Sequence, residues 1–531
     1  MEALSLDHIR PLGMLGARCA LSAARLEGPE YRPDAIFTAD QAGWPGDWEG
    51  RAILGQCLIC RVTGKTPSYL EEILQALGAR FNARGYLGPI LPEGEFDEQQ
   101  LSGHSWLLRG LCEAYEQAGD PHLLAMIRRI VEALFLPAQA AYDRYPLDRR
   151  DHVVSGAEAG RVAARSGCWH ISTDTGCAFI PLDGVSHAYR LLKDPAIAGL
   201  LRAMIGRYLQ LDFTALMVQT HATLTGCRGL LRFAMDTSDA SLLQEARRIF
   251  DLYCREGMTA HYANYNWFGR PQWTEPCAVI DSYMLAMQLY AATGCPDYLE
   301  TARMIGFNGL FRGQRANGGF GTDSCPGPSG GSAWDLAMSL YEAPWCCTMR
   351  GGEGLARMAQ YSVMTEGNRA VFTQLLACQG QARLEGGGLE FTLISQLPAE
   401  GRLSLSIASC PAGCTVDLAL PAWAGPVTLN GAPIQPEGGF VRLYPEPGGR
   451  YELAFPIPLR RQGVPGRHNG QGQLILHGDL ILGADACPQG ARLALGGGRY
   501  QAGPARLAPI ADAWLLSPEQ LAGQKLQIIF P

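Results

Sequence analysis

Hydrophobic spacing divides the chain into two regimes. Up to about residue 365 apolar side chains recur every three or four positions, and beyond it they alternate with polar ones between glycine and proline turns. The first regime repeats one plan. Leu107-Leu108-Arg109-Gly110-Leu111-Cys112 runs on to Gly119-Asp120-Pro121, Ala188-Tyr189-Arg190-Leu191-Leu192 to Asp194-Pro195, Leu230-Leu231-Arg232-Phe233 to Asp239, and Leu289-Tyr290-Ala291 to Gly294-Cys295-Pro296. Each is an amphipathic helix ending in a short polar turn, followed by a second amphipathic helix such as residues 242–253. Four such hairpins predict an array closed into a ring, an (α/α)6 toroid, in which long connections on one rim are where a site is built.

The second regime predicts strands at 371–377, 389–395, 403–408, 416–420 and 451–455, the pattern of an antiparallel β-sandwich, with further strands at 473–476 and 525–530. The expected architecture is therefore multidomain α + β: a toroid over residues 1–365 and a β-sandwich over 366–531, with a sub-unit boundary near 465. Few aromatic or acidic residues flank these strands, so they read as structural support more than as a carbohydrate-binding module.

With 531 residues, 47% of them hydrophobic and 18% charged, the chain can bury large cores. Its net charge of −7 comes from 51 acidic against 44 basic residues without a basic block, which argues against a nucleic-acid surface. No apolar run approaches the ~20 residues of a membrane span. The start, Met1-Glu2-Ala3-Leu4-Ser5-Leu6-Asp7, lacks the basic-then-apolar pattern of a signal peptide, and seventeen cysteines then point to a reducing, cytoplasmic setting. Cys57-Leu58-Ile59-Cys60 has no second pair to complete a zinc knuckle and reads as a buried helical face.

The vicinal pair Cys346-Cys347 and the triplet Glu275-Pro276-Cys277 carry the strongest chemical signal. Adjacent cysteines bridge each other only with strain, whereas three sulfurs and one carboxylate make a tetrahedral zinc set. Pro276 suits the first position of a helix and the doublet precedes another, so all three sulfurs would lie near positive helix ends that favour thiolate. The residues by themselves leave two readings open, zinc thiolates or inert buried thiols. Upstream, His261-Tyr262-Ala263-Asn264-Tyr265-Asn266-Trp267-Phe268-Gly269-Arg270-Pro271-Gln272-Trp273-Thr274 mixes flat aromatic faces with amides and a guanidinium. Tyr265, Trp267 and Arg270 suit a sugar ring, and a packed structural loop is the rival reading.

Toroid, sandwich, Glu275-x-Cys277 and Cys346-Cys347 together resemble the β-L-arabinofuranosidase family of glycoside hydrolases, glycoside hydrolase family 127. The resemblance implies Zn²⁺ held by Glu275, Cys277, Cys346 and Cys347, with Cys346 as nucleophile in a retaining mechanism. It implies sugar contacts from His104 and His221, which stand at the starts of repeat helices, and His170 and Trp345 are further candidates on the same rim. The family's general acid/base Glu falls here on Thr259. Glu256 is the candidate replacement, and Asp323 and Glu342 are other carboxyls near the doublet in sequence. After the doublet stands Thr348-Met349-Arg350, and a nearby guanidinium invites an anionic or otherwise modified sugar.

The expected function is thus a zinc-dependent retaining exo-glycosidase acting on small carbohydrate substrates, without nucleic-acid or membrane partners, and with a homo-oligomer left open. Two other readings stand beside it. A toroid-type lyase would use Tyr262 or His261 as base with Arg270 nearby. A non-catalytic sugar-binding protein would keep zinc as a structural ion.

Overall fold

Four helical hairpins close with one local device: the first helix ends in a left-handed residue, and the second begins under an aspartate cap, with a proline at its first position, or with both. Gly119, Lys193, Ser238 and Gly294 take positive φ of 65°, 51°, 54° and 69°. Asp120, Asp194 and Asp239 then accept hydrogen bonds from the first backbone N–H groups of the next helix, and Pro121, Pro195 and Pro296 occupy first helical positions. The computed structural model describes residues 1–39, 43–153, 160, 162–270, 273–327, 332–485, 494–496, 499–501 and 507–531.

Twelve principal helices result: α1 (Gly13–Arg25), α2 (Asp47–Thr63), α3 (Leu70–Arg80), α4 (Glu98–Ala118), α5 (Pro121–Ile130), α6 (Pro181–Leu192), α7 (Pro195–Tyr208), α8 (Thr220–Thr237), α9 (Ala240–Leu252), α10 (Pro276–Thr293), α11 (Pro296–Met304) and α12 (Cys347–Tyr361). The even-numbered helices form an inner ring, each packed on the next, with α12 closing onto α2. The odd-numbered ones form the outer layer, α1 lying against α12 and α2. Burial follows this division. Every α10 residue from Pro276 to Met287 is buried, whereas outer α5 buries the stripe Leu123, Ile127 and Ile130.

Two sheets follow the ring. A five-stranded sheet runs Glu2–Ala3, Val363–Glu366, Arg369–Phe372, Thr415–Ala419 and Phe440–Leu443, with one parallel pair between its third and fourth strands. Facing it, a seven-stranded antiparallel sheet takes in Ile9–Pro11 as its edge, and Phe372 meets Phe391 edge-on in the sandwich core at 4.9 Å. A third sheet joins the C-terminal strands Leu459–Gly463, Gln473–His477, Leu480–Asp485 and Lys525–Gln527 to Leu336–Leu340 and Thr322–Ser324, which belong to the last connection of the ring. That sheet anchors the connection leading to the cysteine doublet. Asn308 Nδ2 donating to Asp479 O at 2.8 Å and Tyr265 Oη against His468 Nε2 at 2.6 Å tie the ring to it. Among the described residues no helix is long and apolar enough to cross a membrane.

Ring closure depends on close backbone approach. A Cβ on Gly50 of α2 would lie 2.2 Å from the backbone of Leu107 in α4, and one on Gly229 of α8 equally close to that of Leu182 in α6. Gly50→Ala is therefore expected to lower unfolding free energy by about 1–3 kcal/mol through overpacking. Gly206→Ala in outer α7, where a Cβ meets nothing within 4 Å, should leave stability unchanged or raise it slightly. Urea denaturation of the two variants checks this, and equal effects would contradict the packing.

Candidate active site

Inner helices of a hairpin ring all run the same way, so their N-termini gather at one mouth. A cavity of about 740 Å³ lies there. Asp47, Trp48 and Arg51 reach it from the first turns of α2, Gln219 and His221 from the start of α8, Glu275 from before α10, and Cys346 and Cys347 from the start of α12. Trp44, Trp273 and Trp345 add aromatic surface, and Asp174 enters from the connection before α6.

On the cavity floor the three sulfurs converge. Cys346 Sγ lies 3.3 Å and Cys277 Sγ 3.8 Å from Cys347 Sγ, and Arg51 Nη1 approaches Cys277 Sγ at 3.4 Å. Ligand atoms of Cys277, Cys346 and Cys347 lie within 4.8 Å of one another, as do those of His221, Glu275 and Cys277. Both groups can hold a metal ion, and Cys277 belongs to each. Cys346 ionises most readily of the three. Hydrogen bonds from Cys277 and Cys347, helped by Arg51, outweigh burial and lower its thiol, whereas contacts with Cys277 and Cys346 push Cys347 up. Burial, then the neighbouring Cys277 and Asp174, raise Glu275 well above the usual carboxylate range.

His221 is poised by what lies behind it. Its Nδ1 faces Asp281 Oδ2 at 2.9 Å, its ring stacks on Trp106 at 5.6 Å, and its buried Nε2 has no hydrogen-bond partner among the described residues. A carboxylate orienting one imidazole nitrogen while the other faces a sulfur and a carboxylate is the arrangement that supports metal ligation.

Beneath this floor the ring interior is filled with paired charges. Asp281 Oδ1 accepts from Arg228 at 2.5 Å and from Arg350, Asp183 binds Arg232 at 2.6 Å and Arg109 at 3.2 Å, and Glu353 binds Arg109 at 3.0 Å and Arg350. All of these groups are buried. Arg350 thus faces the ring interior and stacks on Trp106 at 4.4 Å, which removes it as the group that would select an anionic sugar.

The structure brings Glu275, Cys277, Cys346, Cys347, His221 and Trp345 together and places the other candidates away from them. His104 is a satisfied core group, with Nδ1 against Gln100 O at 2.8 Å and Nε2 accepting from Leu87 N at 3.0 Å. His170 pairs with Glu95 at 2.8 Å, and Tyr265 is committed to His468. Trp267 packs edge-on behind Trp273, with Arg270 over its outer face at 5.0 Å. Asp323 lies between Arg312 and Arg315, which hold it below the usual carboxylate range despite burial. Glu256 sits in the turn Tyr253–Gly257 that ends outer helix α9, outside the cavity lining, and Glu342 is bound to Arg25 at 2.8 Å. The lyase bases fare no better: Tyr262 meets Gln462, and His261 is buried against Thr259 at 3.1 Å. Pro271 and Gln272 lie outside the described residues. Sequence reasoning missed Trp44, Asp47, Trp48 and Arg51 at the start of the first inner helix, and Asp174, whose surroundings carry no motif.

Comparison with known proteins fits this geometry. The profile of the beta-L-arabinofuranosidase GH127 catalytic domain matches residues 91–360, just over half of the chain. Similar solved structures include a glycoside hydrolase at 13% identity and TM-score 0.70, covering 100% of this chain and 97% of that one. Others are a GH127 beta-arabinofuranosidase at 12% and 0.69, covering 91% and 85%, and a GH127 beta-L-arabinofuranosidase from Geobacillus stearothermophilus T6 at 12% and 0.64, covering 96% and 93%. At such identities the likeness is one of fold. No curated protein matches in sequence. The protein is a glycoside hydrolase, and its substrate is a carbohydrate. Within that class the chain belongs to the GH127 beta-L-arabinofuranosidase family.

The buried ion network has a measurable signature in pH. Burial opposes ionisation of Asp183, but Arg228, Arg232 and Arg109 outweigh it and hold the carboxyl far below the ~3.9 of an unfolded chain. The unfolded state therefore binds the extra proton first, so this contribution is present above about pH 4 and is lost as pH falls further. Stability should drop as pH falls below about 4, and Asp183→Asn should be less stable at pH 7 with a shallower acid slope. Parallel slopes for the two proteins in urea titrations would contradict this assignment.

Proposed function

We propose that this protein is a zinc-dependent retaining exo-glycosidase in which Cys346 is the nucleophile, acting on a terminal sugar of arabinofuranoside type. One observation carries the reading: three sulfurs converge with Glu275 and His221 on the floor of a cavity rimmed by tryptophans. The donor set fits zinc by its chemistry. Cys346, Cys347, Glu275, Asp47 and Asp174 are acidic groups lining one cavity with a single guanidinium, that of Arg51, among the described residues, and Cys277 lies against Cys347, so ionising several of them calls for a further cation. Glu275, Cys277, Cys346 and Cys347 would hold the ion, with His221 beside them. Bound there, zinc supplies the positive charge that keeps thiols deprotonated at neutral pH.

The chain's own residues provide the rest. Trp44, Trp48, Trp273 and Trp345 offer flat faces to the C–H surfaces of a sugar, and Gln219 and Asn266 offer amides to its hydroxyls. Cys346 Sγ gives its electron pair to the anomeric carbon while the bond to the leaving oxygen breaks. Water then displaces the sulfur from the face that the leaving group vacated, and two inversions restore the starting configuration. With Arg350 neutralised inside the ring, the reading favours a neutral sugar over an anionic one.

A panel of 4-nitrophenyl glycosides, pentofuranosides and uronides included, tests this reading with and without chelator. Hydrolysis with retained configuration is expected, lost on chelation and restored by Zn²⁺, and Cys346→Ser should lower turnover by about 10³-fold or more. Unimpaired turnover by Cys346→Ser, or an unsaturated product absorbing in the ultraviolet, would overturn it.

A further inference from the structure

Among the described residues three carboxyl groups line the cavity: Asp47, Asp174 and Glu275. Two have other commitments. Asp47 Oδ2 accepts from Arg51 Nε at 2.9 Å one turn along α2, so a cation faces it directly. Glu275 stands within 4.8 Å of Cys277 and His221 as part of the group able to hold a metal.

Asp174 is different. It follows the strand Trp169–Ser172, and its backbone N–H donates to Ser172 Oγ at 3.2 Å, which fixes the turn. The residue is only 7% exposed, yet its Oδ1 has no hydrogen-bond partner and no cationic side chain pairs with it among the described residues. Gly160, whose backbone hydrogen-bonds the Asp174 carboxyl, is itself braced by Trp44 Nε1 donating to its carbonyl at 3.0 Å. An ionised carboxylate buried without a counter-charge is costly, so such a group holds a proton that a neighbour in the cavity can take. Burial pushes Asp174 up to about 7, against the bond from Gly160, and both protonation states are accessible near neutrality.

We propose that Asp174 is the catalytic acid and base of this site. The proposal rests on the reading of Cys346 as nucleophile. In the first half-reaction the Asp174 carboxyl gives its proton to the glycosidic oxygen as the C1–O bond breaks, the aglycone leaves as a neutral alcohol, and the Cys346 thiolate forms the C1–S bond. In the second, the Asp174 carboxylate takes a proton from water as the new C1–O bond forms and the C1–S bond breaks. This restores the thiolate and the protonated acid, so no other reactant is needed. It also accounts for Thr259, a hydroxyl engaged with His261 and with Ala263 N at 3.0 Å, standing where no acid is then required.

Leaving-group dependence separates an acid from a merely structural carboxyl. The probes are the 4-nitrophenyl glycoside hydrolysed fastest in the panel and the methyl glycoside of the same sugar, tested on metal-loaded wild type, Asp174→Asn and Asp47→Asn. Asp174→Asn should lose about 10²–10⁴-fold on the methyl glycoside and far less in the first step with the 4-nitrophenyl glycoside, because nitrophenolate leaves without protonation. Its intact mass should then show a sugar accumulating on Cys346, and added azide should release it as glycosyl azide of retained configuration. Should Asp174→Asn fail to fold, Asp174→Ala carries the same azide test. Equal losses on both probes, no loss on either, or the leaving-group dependence appearing in Asp47→Asn instead would overturn the proposal. Leaving-group dependence at Asp174 with an inverted product and no sugar on Cys346 would uphold Asp174 as acid while overturning the nucleophile.

Discussion

Acidic groups crowded within 4.8 Å of one another repel as they ionise, and the structure depends on how that charge is balanced at the mouth of the ring. Every inner helix points its N-terminus toward this mouth, which lends positive potential to Cys277 and Cys347 in first turns and to Cys346 just ahead of one. Arg51 adds a full charge beside Cys277. Deeper in, Asp281 joins the two tiers: one oxygen meets Arg228 and Arg350, and the other orients His221 toward Glu275 and Cys277. The ion network is thus the support on which the reactive floor rests.

That coupling explains why the ring interior is polar although the ring must close tightly. Glycines such as Gly50 and Gly229 let inner backbones touch, and the arginine and carboxylate side chains that remain in the bore form ion pairs with one another. Asp174 Oδ1 and His221 Nε2 are buried atoms without a hydrogen-bond partner among the described residues, and both residues line the cavity.

Much of the fold could be read from local signals because those signals are local in cause. The turns at Asp120, Asp194 and Asp239 are set by a left-handed residue, a capping carboxylate and a nearby proline or small residue, all adjacent in sequence. The sulfur motif was legible for a similar reason: two short runs, each at a helix start, carry unusual residues. Side-chain direction was not legible. His104, in the second turn of α4, turns into the wall against Leu87, whereas His221, in the first turn of α8, turns into the cavity. Arg350 follows the doublet by one helical turn and therefore points down the bore, which adjacency in sequence conceals. Asp174 gains its character only from burial beside residues distant in the chain.

The most direct test of the central claim is zinc K-edge X-ray absorption on the purified protein. If Cys277, Cys346, Cys347 and Glu275 share one ion, the spectrum will show three sulfur neighbours at about 2.3 Å and a lighter atom at about 2.0–2.2 Å. A zinc shell of nitrogen and oxygen alone, or a protein that retains no zinc when purified without chelator, would contradict it.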